Sequence, residues 1–103
     1  MYEIKYHPLV EVDLEQLTHS VRIEVFKKLK KIQTSPELGQ LLGNKNNMNL
    51  TGLRKVYVAK KQVRIVYEII DNLLVVKVIT IGKREDMEVY KQAEQRRKNS
   101  YVS

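Results

Sequence analysis

Four side chains in this sequence are of the right types for phosphoryl chemistry: the cations Lys55, Arg64 and Arg84 and the phenol Tyr90. An RNA phosphodiester breaks without a metal when its 2′-hydroxyl attacks the adjacent phosphorus. The reaction needs proton removal from the 2′-oxygen, a proton for the departing 5′-oxygen, and neutralisation of the phosphorane between them. Ammonium and guanidinium groups neutralise, and the planar fork of arginine matches phosphate oxygens. A phenol accepts the proton only where neighbouring cations lower its pKa from the usual value of about 10. Tyrosine is thus a weak base and arginine a poor acid, so the set is slow unless an external scaffold holds the RNA in its attack geometry.

Each residue also has a plainer reading. Arg64 alone reads as a surface cation paired with a carboxylate, and Arg84, in the run Lys-Arg-Glu-Asp, as part of a solvated loop. Tyr90 shares a helical stripe with Met87 and Ala93, which is the pattern of a packed core residue. Other chemistries drop out. With no cysteine there is no disulfide, thiolate nucleophile or Cys-based zinc site. His7 and His19 lie at opposite ends of an expected short helix, too far apart for an acid/base pair and without a third metal ligand. There is no phosphate-binding glycine loop, and no metal or other cofactor is expected.

At 103 residues, 43% apolar and 30% charged, the chain fits one soluble domain, expected over residues 1–98 with a frayed tail at 99–103. No apolar run approaches the length of a membrane span, so the expected location is the cytoplasm. The net charge of +7 is uneven. Residues 1–52 hold seven basic and six acidic side chains, whereas residues 53–103 hold twelve and six. A polyanion site belongs in the C-terminal half.

Periodicity supplies the frame. Tyr2 to Tyr6 alternates as a strand; Pro8 opens a helix to about Leu17; Val21, Val25, Leu29 and Ile32 stripe a second helix over 21–33, capped by Ser20. After a polar loop at 43–52 the period falls to two, predicting strands at 53–59, 62–70 and 73–81. Asp86 is the expected N-cap of a last helix through about Arg97, with Arg96, Arg97 and Lys98 complementing its dipole. The fold class is α+β: an antiparallel sheet of about four strands in the order β-α-α-β-β-β-α, with the helical hairpin on one face.

Placing the first hairpin turn on Lys60-Lys61 pairs Val58 with Val63, Val56 with Ile65 and Tyr57 with Arg64. One face then reads as core, and the other carries Lys55, Tyr57 and Arg64 as an open polar surface. Pivoting the next strand on Asp71-Asn72 sets Arg64 opposite Ile79 and sends Arg84 out at the Arg64 end. Lys-Lys suits a two-residue turn poorly, so a wider loop with the same pairing is expected.

The segments Leu53-Arg-Lys-Val-Tyr-Val, Val63-Arg-Ile-Val-Tyr-Glu, Val78-Ile-Thr-Ile-Gly-Lys-Arg-Glu and Glu88-Val-Tyr resemble the RelE/ParE toxin superfamily, in spacing its RelE branch. The resemblance implies a toxin that enters the ribosomal A site and cuts the mRNA codon there. It implies Arg64 as the phosphate-stabilising arginine, Arg84 as proton donor, Tyr90 as base and Lys55 as a further catalytic lysine. The pattern departs at Tyr57, where RelE proteins carry a second lysine. Arg54, Lys60, Lys61 and Lys83 are the basic residues expected to contact RNA beside it, with Tyr57 able to stack on a base. Arg54 should point to the core face unless it lies at the sheet edge. Implied partners are the ribosome with its 16S rRNA and mRNA, and a RelB-like antitoxin with an amphipathic, acidic docking segment. Operator DNA would be reached only through the antitoxin. The superfamily's ParE branch, which inhibits DNA gyrase, and a degenerate binding module are the competing readings.

Overall fold

The computed structural model describes residues 1–45, 47–83 and 88–99. Strand β1 (Glu3–Tyr6) is followed by α1 (Val10–Glu15) and α2 (His19–Thr34), the expected helical hairpin. The N-cap of α2 is Thr18 rather than Ser20: Thr18 is extended and its hydroxyl accepts from the Val21 amide, whereas Ser20 lies inside the first turn. Pro36 ends the hairpin in a single 3-10 turn. Three two-residue strands follow, β2 (Gln40–Leu41) ahead of the polar loop and β3 (Asn44–Lys45) and β4 (Met48–Asn49) within it. The long strands β5 (Leu53–Val58), β6 (Val63–Ile70) and β7 (Val75–Lys83) and the helix α3 (Glu88–Asn99) complete the chain. Arg84 and the expected N-cap Asp86 lie outside the described residues. Among the described residues, no helix is long and apolar enough to cross a membrane.

The main sheet has five strands in the order β1-β7-β6-β5-β2. It is mixed rather than purely antiparallel, because β1 pairs with β7 in parallel. That edge pairing joins segments more than sixty residues apart, and alternation within either strand carries no sign of direction.

The β5–β6 hairpin has the expected register, Tyr57 opposite Arg64. Its turn is closed by the Gln62 amide donating to the Ala59 carbonyl, and Ala59, Lys60 and Lys61 all have positive φ, at 53°, 56° and 69°. Left-handed backbone at a residue bearing Cβ costs on the order of 1 kcal/mol, so this turn is under strain.

The β6–β7 register differs from expectation. The connection is a 3-10 turn at Asp71–Leu73 followed by a left-handed Leu74, wider than the dipeptide pivot, and Ile79 is an extra residue where the register shifts beside Val66. Arg64 therefore pairs with Gly82, not Ile79. The bulge also divides alternate residues between two cores. One core packs Val25, Leu29 and Ile32 of α2 on Val56, Ile65, Val76, Val78 and Ile81. The other packs Val89, Tyr90 and Ala93 of α3 on Leu53, Val66 and Ile79. The second face is thus not an open polar surface; α3 covers it, because Leu53, Val66 and Ile79 are interleaved with its polar residues.

Candidate functional site

Three elements bring four of the singled-out side chains together. Lys55 and Tyr57, two apart on β5, project to the α3 face; Arg64 faces Tyr57 across the ladder; Tyr90 comes down from the first turns of α3. The Arg64 guanidinium carbon lies 4.8 Å from the Tyr90 ring centre and 5.2 Å from that of Tyr57. Lys55 Nζ donates to the Tyr57 hydroxyl at 2.9 Å and lies 6.0 Å from the Tyr90 ring centre. Lys61 Nζ lies 6.0 Å from the Tyr57 ring centre. These are cation–π distances, favourable by roughly 0.5–2 kcal/mol each depending on desolvation. Gly82, opposite Arg64, puts no side chain of β7 into the same space.

The cations are buried: Lys55 is 9% exposed and Arg64 8%. Among the described residues no carboxylate bonds either one, and Arg64 Nε is buried without a hydrogen-bond partner. Tyr90, at 1% exposure, is a residue of the second core with its ring against Arg64. Tyr57 is half-buried.

The other basic residues divide. Lys60 and Lys61 are exposed on the strained turn. Lys83 ends β7 beside Val63 and lines, with Lys60 and Lys61, a cleft at the start of α2. Arg54 is apart from the cluster: alternation turns it to the opposite face, where it donates to the Gly39 carbonyl at 2.8 Å and the Glu37 carbonyl at 3.3 Å, holding the loop after α2 against the sheet edge. No group of three or more His, Asp or Glu side chains among the described residues is placed to hold a metal ion.

Residues 4–88 match the family described as the ParE toxin of the type II toxin-antitoxin system parDE. The mRNA interferase toxin RelE of Escherichia coli strain K12 is 36% identical over 83 residues, 79% of this chain and 81% of that protein. The chain belongs to the RelE/ParE toxin superfamily, on its RelE-like branch. Solved structures agree. A double arginine-to-alanine variant of Escherichia coli RelE in the free state superposes with a TM-score of 0.75 at 31% identity, covering 92% of this chain and 96% of that one. The same variant in complex with a RelBc antitoxin peptide gives 0.68 at 31% identity, covering 89% and 93%.

In this RelE-like toxin the parts that sequence reasoning missed are those that seat α3. Asp13 of α1 accepts two bonds from the Arg96 guanidinium, at 2.6 and 2.8 Å, plus one from the Ile81 amide at 3.0 Å and one from the Thr80 hydroxyl at 3.3 Å. Arg96 also donates to the Ile79 carbonyl at 3.0 Å. Farther along, the Asn49 amide donates to Glu94, and Arg97 donates to the Thr51 and Asn49 carbonyls. One buried ion pair therefore ties α1, β7 and α3 together, and with them the Tyr90 ring under Arg64. The available signal was slight: an aspartate at mid-helix and an arginine that the helix dipole already accounts for.

Proposed function

We propose that this RelE-like toxin is a ribosome-dependent endoribonuclease that cuts mRNA in the A site by metal-independent attack of a 2′-hydroxyl, and that a RelB-like antitoxin holds it in check. The observation that supports this best is the burial of Lys55 and Arg64 among two aromatic rings and a phenolic oxygen, with no carboxylate bonded to either among the described residues. Buried charges are normally paired. A phosphate supplies an anion for this pair, and a phosphorane supplies more charge still. Under α3 each contact acts in a lower dielectric than water and needs no reorganisation as charge develops.

In the proposed step a base takes the 2′-hydroxyl proton, the 2′-oxygen bonds to phosphorus, and the bond to the 5′-oxygen breaks as that oxygen takes a proton. The products end in a 2′,3′-cyclic phosphate and a 5′-hydroxyl. Arg64 and Lys55 neutralise the phosphorane, and Arg84 donates to the leaving oxygen. Of the two phenols, Tyr57 is the one a substrate reaches, and its oxygen is held by the Lys55 ammonium. We assign proton removal to Tyr57, and to Tyr90 the support of Arg64 from beneath. The ribosome supplies the attack geometry that these weak acids and bases require.

Primer extension on mRNA from a translating extract tests this. The wild type leaves A-site breaks, Arg64→Ala lowers cleavage at least about 100-fold, and Tyr57→Phe lowers it more than Tyr90→Phe. Intact mRNA together with a loss of gyrase supercoiling would overturn the reading in favour of ParE-like inhibition.

A further inference from the structure

We infer that Lys61 is a positioning residue of the reaction: its ammonium, laid over the Tyr57 ring, is the counter-charge for the ionised phenol that takes the 2′-hydroxyl proton. The inference rests on the nuclease reading above and deepens it. Three cations surround Tyr57, with Lys55 Nζ 4.9 Å from the ring centre, the Arg64 guanidinium carbon 5.2 Å and Lys61 Nζ 6.0 Å. Two of the three have other work. Lys55 and Arg64 are the buried pair that a phosphate engages, and from then on they share their charge with its oxygens. Lys61 is exposed at the rim and stays with the phenol. An ordinary phenol, with a pKa of about 10, is protonated at neutral pH, so the step is limited by the fraction ionised, and a cation held beside the ring raises that fraction. As the proton passes from the 2′-oxygen to the Tyr57 oxygen, one negative charge leaves the phenol and one appears on the phosphorane, where Lys55 and Arg64 receive it.

Two observations separate Lys61 from a lysine that merely sits on the surface. The first is direction. Residues 59–62 lie beyond the last ladder pair, Val58 with Val63, and a lysine there is free to extend into water; the Lys61 side chain instead turns back along β5 to the ring of Tyr57. The second is backbone. Lys61 closes a run of three left-handed residues, with φ at 69°, where asparagine or glycine would be at ease. Strain retained against local preference clusters at functional sites. Asparagine or glycine would relax this turn but would bring no charge to the phenol.

The test is single-turnover mRNA cleavage by the full chain on a saturating amount of programmed ribosomes, followed between about pH 6 and 9. The wild-type rate should rise with pH as Tyr57 ionises. Lys61→Gln should move that rising limb upward by at least about 0.5 pH unit, the shift that one charge at this distance gives even in water-like surroundings, and so lower the rate at neutral pH at least about threefold. Lys61→Arg should restore the limb, and Lys60→Gln, which removes the same charge one residue away, should leave it in place. A limb that Lys61→Gln does not move, or that Lys60→Gln moves equally, would overturn the inference and make Lys61 one more surface cation. A second readout needs no cleavage. Ultraviolet difference titration of the free protein, with the Tyr57→Phe signal subtracted, should show Tyr57 ionising at higher pH in Lys61→Gln than in the wild type. No shift there overturns the inference whether or not mRNA is cut. A shift together with no cleavage by the wild type would leave the coupling of Lys61 to Tyr57 standing and remove the nuclease reading alone.

Discussion

Replacing Asp13 should unseat α3 and cost a large part of the fold's stability. In Asp13→Ala the Arg96 guanidinium keeps, among the described residues, the Ile79 carbonyl alone, and the Ile81 amide loses its Asp13 acceptor. Both side chains of the pair are about nine-tenths buried, at 10% and 9% exposure, so the arginine's charge is stranded rather than released to water. Breaking such a pair from one side costs about 3–5 kcal/mol, whereas replacing both partners with apolar groups is often close to neutral. A chain of this size has on the order of 5–15 kcal/mol in all. At roughly 4–8 °C per kcal/mol, the melting midpoint should fall by at least about 12 °C. Urea unfolding of Asp13→Ala, Arg96→Met and the double variant gives the coupling directly, and the double variant should recover most of the loss. Amide exchange should rise in α3 before it rises in β6, because the bridge anchors the helix and not the central strand. A loss below about 1 kcal/mol for Asp13→Ala, or a coupling near zero, would refute the claim that this ion pair seats the helix.

Three other outcomes follow from single contacts. His7 is 7% exposed, and its Nδ1 accepts from the Leu9 amide; burial, with Arg96 and Lys77 nearby, lowers its pKa against an opposing pull from Asp13. The unfolded chain then protonates first as pH drops below about 6.5, so stability present above that pH is lost on acidification. His7→Asn, which keeps an acceptor, should flatten the fall in urea-unfolding stability between about pH 7 and 5. Gly39→Ala should destabilise by about 1–3 kcal/mol in thermal melts, since its Cβ would stand 2.3 Å from the hydroxyl of the fully buried Tyr67. Lys55→Met should raise the unfolding free energy by on the order of 1 kcal/mol and, on the proposed nuclease reading, lower mRNA cleavage, because the site gives up a buried cation to which no carboxylate among the described residues is bonded.

What could be read from the sequence was whatever local alternation controls. Val56, Val58, Val63 and Ile65 must share the buried face, and that alone sets Tyr57 against Arg64. The next register was not legible, because the wide Asp71–Leu74 connection and the extra residue at Ile79 leave no mark on composition; an isoleucine in a bulge looks like any strand isoleucine. The second core was hidden for a related reason. Leu53, Val66 and Ile79 alternate with the core face just as Lys55, Tyr57 and Arg64 do, so the charged residues made the whole face look wet. Tyr90 could be read both as a core residue and as a reactive phenol. The stripe through Val89, Tyr90 and Ala93 carries the first reading in the structure.

These misreadings share one physical cause, which bears on how the site works. A row of cations on an open sheet would be solvated and would hold a phosphate weakly. Here the same row continues into an apolar core under α3, so that Lys55 and Arg64 lose most of their contact with water. Desolvation of that kind is unfavourable for the free protein, and the hydrophobic contacts of Val89, Tyr90 and Ala93 together with the Asp13–Arg96 bridge offset it. In return, any anion that reaches the pair meets donors already fixed in place by aromatic walls. On the proposed nuclease reading α3 belongs to the chemistry even if no atom of it touches RNA. Loosening the helix should therefore weaken phosphate neutralisation before it unfolds the sheet.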